Sequence, residues 1–338
     1  MLEISQTVTE YVGAQAHDLP AALLQSTQPL VLRGLIASWP AVEAATRSAD
    51  AVAAYIQTFD SGKPLTALVA DADADAQGRI FYNSDLSGFN FQHRRCTLAE
   101  VFEQLAAART EGAAGTIYLG STNIDNWLPG FRHHNDLGLA AYQPLASIWI
   151  GNQTRIAAHY DFPTNIACCV AGRRRVTLFP PEQLGNLYVG PIDFTPAGQP
   201  VSLVDFANPD YDKYPKFRDA LASAQVVELA PGDGLLIPSM WWHHIEALDD
   251  LNVLVNYWWR DSPAYLGAPL NALQHAILAL RDLPEGQRDI WKALFDYYVF
   301  TTSDEHLQHI PEQARGVLNP INEEMAQQLR ALLASKIK

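Results

Sequence analysis

The stretch ASIWIGNQTRIAAHYDFPTNIACCVAGRRRVTLF, residues 146–179, decides the fold. It is a series of short β-rich runs, ASIWIG, RIAAHY, IACCVA and RVTLF, broken by Asn-Gln, Asp-Phe-Pro and Gly-Arg turn chemistry. β-Branched and aromatic residues suit a pleated surface, and Gly, Pro and Asn end it. The pattern continues outward on both sides, with TIYLG (116–120) before it and VVEL (226–229), GLLIP (234–238) and VLVNYWW (253–259) after it. Many short strands with Gly and Pro punctuation predict a sandwich or barrel over 116–262.

On either side the periodicity turns helical. Residues 1–115 read as a helix and strand segment packing on the barrel. Leu30 to Leu32 form a buried strand, followed by a turn at Gly34 and a stop at Pro40. Val52, Tyr55, Ile56 and Phe59 have amphipathic helical spacing within 48–59. Thr97 and Glu100 make a capping box that opens a helix with Leu98, Val101, Phe102 and Leu105 on its apolar face. DADADAQG (71–78) starts like a calcium loop but lacks the sixth-position Gly, and Tyr82 stands where the terminal Glu belongs; it reads as a solvated loop.

Residues 263–338 form a C-terminal helical segment, with helices over 271–283 and 287–300. Asn319-Pro320 serves as cap and first turn of a last helix carrying Ile321, Met325, Leu329, Leu332, Leu333 and Ile337. So wide an apolar stripe needs burial, either on the barrel or against a second copy as a homodimer.

The 338-residue chain is 48% hydrophobic and 18% charged, which excludes a disordered polymer and leaves ample core material. Its net charge of −14 repels phosphates, and Arg173-Arg174-Arg175 is the only dense basic run, so no nucleic-acid partner is expected. No apolar run approaches the roughly 20 residues of a membrane span, so no membrane partner is expected either. The opening MLEISQTVTEYVGAQ lacks a basic and then apolar leader, and Cys96, Cys168 and Cys169 are too few for a disulfide framework. The expectation is a cytoplasmic protein with reduced, buried thiols.

His159-Tyr160-Asp161 ends a strand and enters a turn, so an imidazole and a carboxylate point to one side at the mouth of a sheet. WWHHIE (241–246) brings a second imidazole on a later strand. Two histidines and one carboxylate leave coordination positions open and suit non-haem Fe(II), whereas a closed zinc site wants four protein ligands. The pleat alone does not choose between His243 and His244. It puts Trp241, His243 and Ile245 on one face and Trp242, His244 and Glu246 on the other. The remaining histidines carry no completed ligand set: His275 lies on a helix, His306 and His309 are one turn apart, and His133-His134 sit in a polar surface loop.

The segments WIGNQTRIAAHYD (149–161), AGRRRVTLFPPEQLGNLY (171–188), VDFANPDYDKYPKF (204–217), PGDGLLIPSMWWHHIEAL (231–248) and VNYWW (255–259) resemble the JmjC/cupin-like Fe(II) and 2-oxoglutarate dioxygenases. Within them the chain is most similar to the asparaginyl hydroxylase that inhibits hypoxia-inducible factor. The resemblance implies a double-stranded β-helix (cupin or jelly roll) with flanking helices, and dimerisation through the C-terminal helices. It implies a metal triad of His159, Asp161 and His243, with His244 a packed neighbour. Arg174 stands where the relative has the lysine that anchors the distal carboxylate of 2-oxoglutarate, and a guanidinium grips a carboxylate with two parallel hydrogen bonds. The alternative for the three arginines is a solvated edge.

Tyr118, Asn165 and Asn256 match the cosubstrate pocket. Ile156 replaces a threonine of the relative, and Thr154 is the substitute hydroxyl. The implied activity uses Fe(II), 2-oxoglutarate and O2 to hydroxylate a protein or peptide side chain, releasing succinate and CO2. Two other readings stand beside it: a metal-binding cupin enzyme that does not use 2-oxoglutarate, and an inactive binding module.

Overall fold

A computed structural model of the chain describes residues 2–71, 76–111 and 115–336, so the acidic DADA stretch lies mostly outside the described residues. In chain order the strands are β1 (Gln6–Thr7), β2 (Thr9–Val12), β3 (Leu30–Arg33), β4 (Leu65–Asp71), β5 (Arg79–Ile80), β6 (Gln92–Cys96), β7 (Gly115–Asn123) and β8 (Leu145–Gly151). They continue as β9 (Arg155–Tyr160), β10 (Thr164–Ala171), β11 (Arg174–Phe179), β12 (Gln225–Leu229), β13 (Gly234–Ile237), β14 (Trp242–Ala247) and β15 (Asn252–Trp259). Each β-rich run named from the sequence is one of these strands.

Two sheets result, one ordered β1-β12-β11-β14-β9-β5 and the other β2-β3-β13-β10-β15-β8-β7-β4-β6. From β8 onward the chain passes repeatedly from one sheet to the other, with antiparallel neighbours such as β10 on β15 and β14 on β9. This is the mainly β, double-stranded β-helix with flanking helices expected from the sequence. The N-terminal residues also enter the sheets, since β2, β3, β4 and β6 extend the larger one.

Alternation along the larger sheet sets what faces what. Ile148, Ile150, Ile166, Cys168, Val170, Val253, Val255 and Tyr257 pack outward in one core with Leu35, Trp39, Val42, Val52, Ile56, Leu98, Val101 and Leu105. These latter residues come from the loop and helices Pro40–Arg47, Ala49–Gln57 and Leu98–Glu111. The residues of opposite parity, among them Trp149, Asn165, Ala167, Leu254, Asn256 and Trp258, face a cavity between the sheets. The adjacent cysteines divide the same way: Cys168 joins that outer core and Cys169 a second one. All three thiols are unpaired and buried, and burial pushes Cys169 up to about 12.

Local capping followed the sequence at one helix and departed from it at two. Glu100 N–H donates to Thr97 Oγ1 at 3.2 Å, and Thr97 N–H to Glu100 Oε2 at 2.7 Å, a reciprocal capping box. Pro40 does not stop the chain. It is the first residue of a helix after Trp39, the position where a missing N–H costs nothing. Asn319-Pro320 is not the last cap either. Asn322 Oδ1 accepts from Met325 N–H at 2.9 Å and the helix runs Glu323–Lys336, because Asn followed by two glutamates satisfies the first-turn donors and the dipole.

The chain divides into two compact units, Met1–Arg260 and Asp261–Lys338. Within the second, helices Pro269–Leu280, Glu285–Phe295 and Glu323–Lys336 leave Leu278, Ile290, Leu332 and Leu333 exposed. No helix among the described residues is long and apolar enough to cross a membrane.

Gly172 turns β10 into β11 at φ +70°, and a Cβ there would lie 2.3 Å from Asn252 Oδ1 and 2.5 Å from Leu251 O. Gly172→Ala is therefore expected to destabilise the protein by about 1–3 kcal/mol. A lower urea midpoint at unchanged slope would show it; an unchanged midpoint would contradict the tight-turn reading.

Candidate active site

β9 and β14 pair antiparallel with His243 opposite His159, which sets their ring centroids 4.3 Å apart. Asp161 lies just past the end of β9, where its backbone carbonyl accepts from Met240 N–H at 2.9 Å. Its Oδ2 comes to 3.6 Å from His243 Nε2. Among the described residues, this trio is the one group whose ligand atoms all lie within 4.8 Å of one another.

Each histidine is prepared to ligate. His159 Nδ1 is 2.9 Å from Ala157 O and His243 Nδ1 is 3.0 Å from Trp241 O. A carbonyl only accepts, so both Nδ1 atoms carry the proton and both Nε2 lone pairs are free. Burial, and then the neighbouring His159, push the His243 pKa down to about 4 against the opposing pull of Asp161, which keeps the ring neutral. Trp258 Nε1–H donates to Asp161 Oδ2 at 3.1 Å.

The trio opens into the cavity between the sheets, about 310 Å³ in volume. The smaller sheet contributes Ile80, Ile156, Ala157, Arg174 and Ile245 to its walls, and the larger Thr66, Leu68, His93, Tyr118, Trp149, Asn165, Leu254, Asn256 and Trp258. Arg174 is 3% exposed, and no described side chain accepts a hydrogen bond or forms an ion pair with it. Its flanking residues turn the other way and are paired, Arg173 with Asp249 at 2.9 Å and Arg175 with Glu228 at 2.7 Å. Alternation thus separates two edge arginines from one buried cation. Desolvation pulls the Arg174 pKa down from its usual range.

Tyr118 lies near enough to feel that charge, and burial pushes its hydroxyl far up, so it stays a protonated donor. Trp149 Nε1–H donates to Asn256 Oδ1 at 2.7 Å, and Asn256 Nδ2–H donates to Asn165 Oδ1 at 3.2 Å. This relay fixes both amides.

Of the sequence-derived site residues, His159, Asp161, His243, Arg174, Tyr118, Asn165 and Asn256 share this one cavity. Thr154 does not. It is buried just before β9, its carbonyl accepts from Ala247 N–H at 2.8 Å, and Ile156 holds the place on the wall. His244 faces away from the cavity and packs on Phe206 at 4.5 Å between centroids, with both ring nitrogens unpartnered. His133 and His134 are exposed.

Sequence reasoning missed Thr66, Leu68 and His93, which arrive by long-range strand pairing. It also missed Pro196 and Ala197, carried on the segment before Val201 that Phe194 pins by stacking on Phe89 at 4.6 Å. The N–H roles of Trp149 and Trp258 have no sequence signature.

The residues present fit an open metal centre and an anionic ligand. The donor set is two imidazoles and a carboxylate, which leaves positions free. The cation facing the same cavity has no counter-ion among the described residues, and burying an unpaired charge is costly.

The cupin-like domain family matches residues 16–265. The chain belongs to that family. Residues of this cupin-like protein are 36% identical over 121 positions to the lysine-specific demethylase JMJ31 of Arabidopsis thaliana, covering 35% of the chain and 22% of the relative. They are 36% identical over 115 positions to human HSPB1-associated protein 1, covering 33% and 23%. To tRNA wybutosine-synthesizing protein 5 of Gallus gallus they are 31% identical over 148 positions, covering 39% and 43%. The matched part therefore spans less than half the length of each. The resemblance read from the sequence is borne out as membership of the JmjC/cupin family.

Two expectations follow from the charges. Arg174→Met removes an unpaired buried cation at nearly constant length, so the ligand-free protein should gain about 1–3 kcal/mol in denaturant unfolding. A loss would mean that the guanidinium has a protein partner.

The second concerns His244, whose pKa burial, followed by the charges of Arg155 and Arg79, lowers to about 3. Between that value and the ordinary histidine pKa the unfolded chain binds a proton that the folded chain does not. Stability from this residue is thus complete above the unfolded pKa and is lost as pH falls through the window. From pH 7 to 5 the metal-free protein should lose about 2 kcal/mol that His244→Phe does not. Parallel pH profiles for the two would refute it.

Proposed function

We propose that this protein is an Fe(II)- and 2-oxoglutarate-dependent oxygenase that hydroxylates a side chain of a protein or peptide. The observation that carries the reading is the pairing, in one cavity, of an open His-Asp-His set with a buried arginine that has no carboxylate partner among the described residues.

His159 and His243 through Nε2, and Asp161 through its carboxylate, would hold the metal. When bound, Fe(II) and 2-oxoglutarate supply the O2-activating oxidative decarboxylation that yields succinate, CO2 and a hydroxylated substrate. The chain's own residues position and enclose. Arg174 presents parallel N–H donors to the distal carboxylate, with Tyr118 as a neutral hydroxyl donor beside it. The Trp149–Asn256–Asn165 relay holds the Asn165 amide in a fixed orientation on the cavity wall. Ile156, Ile245 and Leu254 give the cavity an apolar lining that keeps water out, and electrostatic interactions inside it are then stronger.

Support for a macromolecular substrate comes from the asparaginyl-hydroxylase resemblance and from relatives named for lysine demethylation and tRNA wybutosine synthesis. The −14 net charge favours a protein or peptide over RNA. The exposed apolar faces of the C-terminal helices support a homodimer, and the unpaired buried thiols a reducing, cytoplasmic setting.

Fe(II)-dependent succinate formation from 2-oxoglutarate is the test. His159→Ala and Asp161→Ala should bring it to background. Arg174→Ala should raise the KM for 2-oxoglutarate on the order of 100-fold while metal still binds. Metal binding without succinate would instead favour a cupin enzyme of other chemistry, and formaldehyde release would mark demethylation rather than stable hydroxylation.

A further inference from the structure

The Asp161 carboxylate is the least constrained member of the trio by backbone alone, because it sits in a turn beyond β9. Both histidines are fixed through Nδ1 to carbonyls, and a carboxylate has no such second nitrogen. What fixes it comes from the opposite sheet. β15 pairs with β10 so that Trp258 lies opposite Asn165, and its indole crosses the cavity mouth to donate Nε1–H to Asp161 Oδ2 at 3.1 Å. The indole is itself braced, edge-on against Trp149 at 5.7 Å and 86°. A hydrogen bond to a carboxylate is charge-assisted, and in a half-buried site it is a strong restraint on rotation.

Resting on the metal-site reading above, we infer that Trp258 is a positioning residue for the metal: its indole N–H holds Asp161 Oδ2, the oxygen 3.6 Å from His243 Nε2, on the side of the histidines, so that the carboxylate is oriented before a metal arrives. A carboxylate without that donor is free to turn Oδ2 away from the histidines, and that rotational freedom would weaken the facial set.

The test uses Co(II) as the metal probe, anaerobically and without cosubstrate, on the full chain. Wild type should bind one Co(II). Trp258→Phe keeps the ring against Trp149 and removes only the donor. It should weaken Co(II) about 10–100-fold and change the visible Co(II) absorption band as the carboxylate's orientation at the metal changes. A packing-only role predicts that Trp258→Phe matches wild type in both. That result would overturn the inference while leaving the metal site intact, whereas failure of wild type to bind Co(II) would overturn the site itself.

Should Trp258→Phe not fold, the wild-type indole N–H carries the test. Solvent exchange of the Trp258 Nε1 proton should quicken in Asp161→Ala, and an unchanged rate would sink the proposal.

Discussion

The antiparallel register of β9 against β14 is the constraint on which the site depends. A strand's side chains alternate with period two, so a slip of one residue exchanges its faces. With His243 opposite His159, both imidazoles project into the cavity and Asp161 follows from the turn. Slipped by one, His244 would face the metal position and His243 would meet Phe206. The register is held from both sides: β11 pairs Thr177 with His244 and Leu178 with His243, and the ladder from β9 to β14 shifts by one residue only beyond the site, between His243 and Ile245. That irregularity places Ile245 and Ile156 together on the cavity wall without disturbing the histidines.

Why the sequence left His243 and His244 unresolved is visible in this arrangement. Both are buried, one in the cavity wall and the other against a separate core, so neither face of β14 is polar enough to mark itself. What separates them is the identity of the partner strands, a long-range fact. The resemblance supplied it, and the pattern could not. Arg174 is the converse case. Strand alternation through Arg173, Arg174 and Arg175 already requires that the middle one differ, and the partners Asp249 and Glu228 confirm the outer pair as a paired edge. The capping box at Thr97 was legible because it is local. Thr154 was misplaced because it precedes β9, so face parity within the strand did not apply to it. Thr66, Leu68 and His93 were invisible because β4 reaches the site by pairing with β7, and β6 by pairing with β4.

Electrostatically the cavity is built around unequal ends. At one, neutral histidines and a carboxylate need a cation; at the other, a cation needs an anion. Two partial sites of opposite demand in one water-poor space are poor for stability and useful for function, since an unpaired buried charge is tolerated only where something else compensates it. The paired Arg155–Asp205 contact at 2.7 Å, on the far side of β9, shows that this fold can neutralise a buried arginine when it serves structure. Arg174 has no such partner among the described residues.

Under the proposed function, Arg174 and Ile156, which stand where the resemblance implies a lysine and a threonine, are read together. Lysine offers three donors on one point charge, and a neighbouring hydroxyl adds a fourth from another direction. A guanidinium carries five N–H groups in a planar fork and can meet both oxygens of a carboxylate alone, so the hydroxyl becomes dispensable. Replacing it with isoleucine also removes a polar group that would otherwise need a partner once buried beside the fork. Ile156 and Arg174 line the same cavity from strands β9 and β11 of one sheet, so under the proposed function that wall offers its donors from the guanidinium alone and is otherwise apolar.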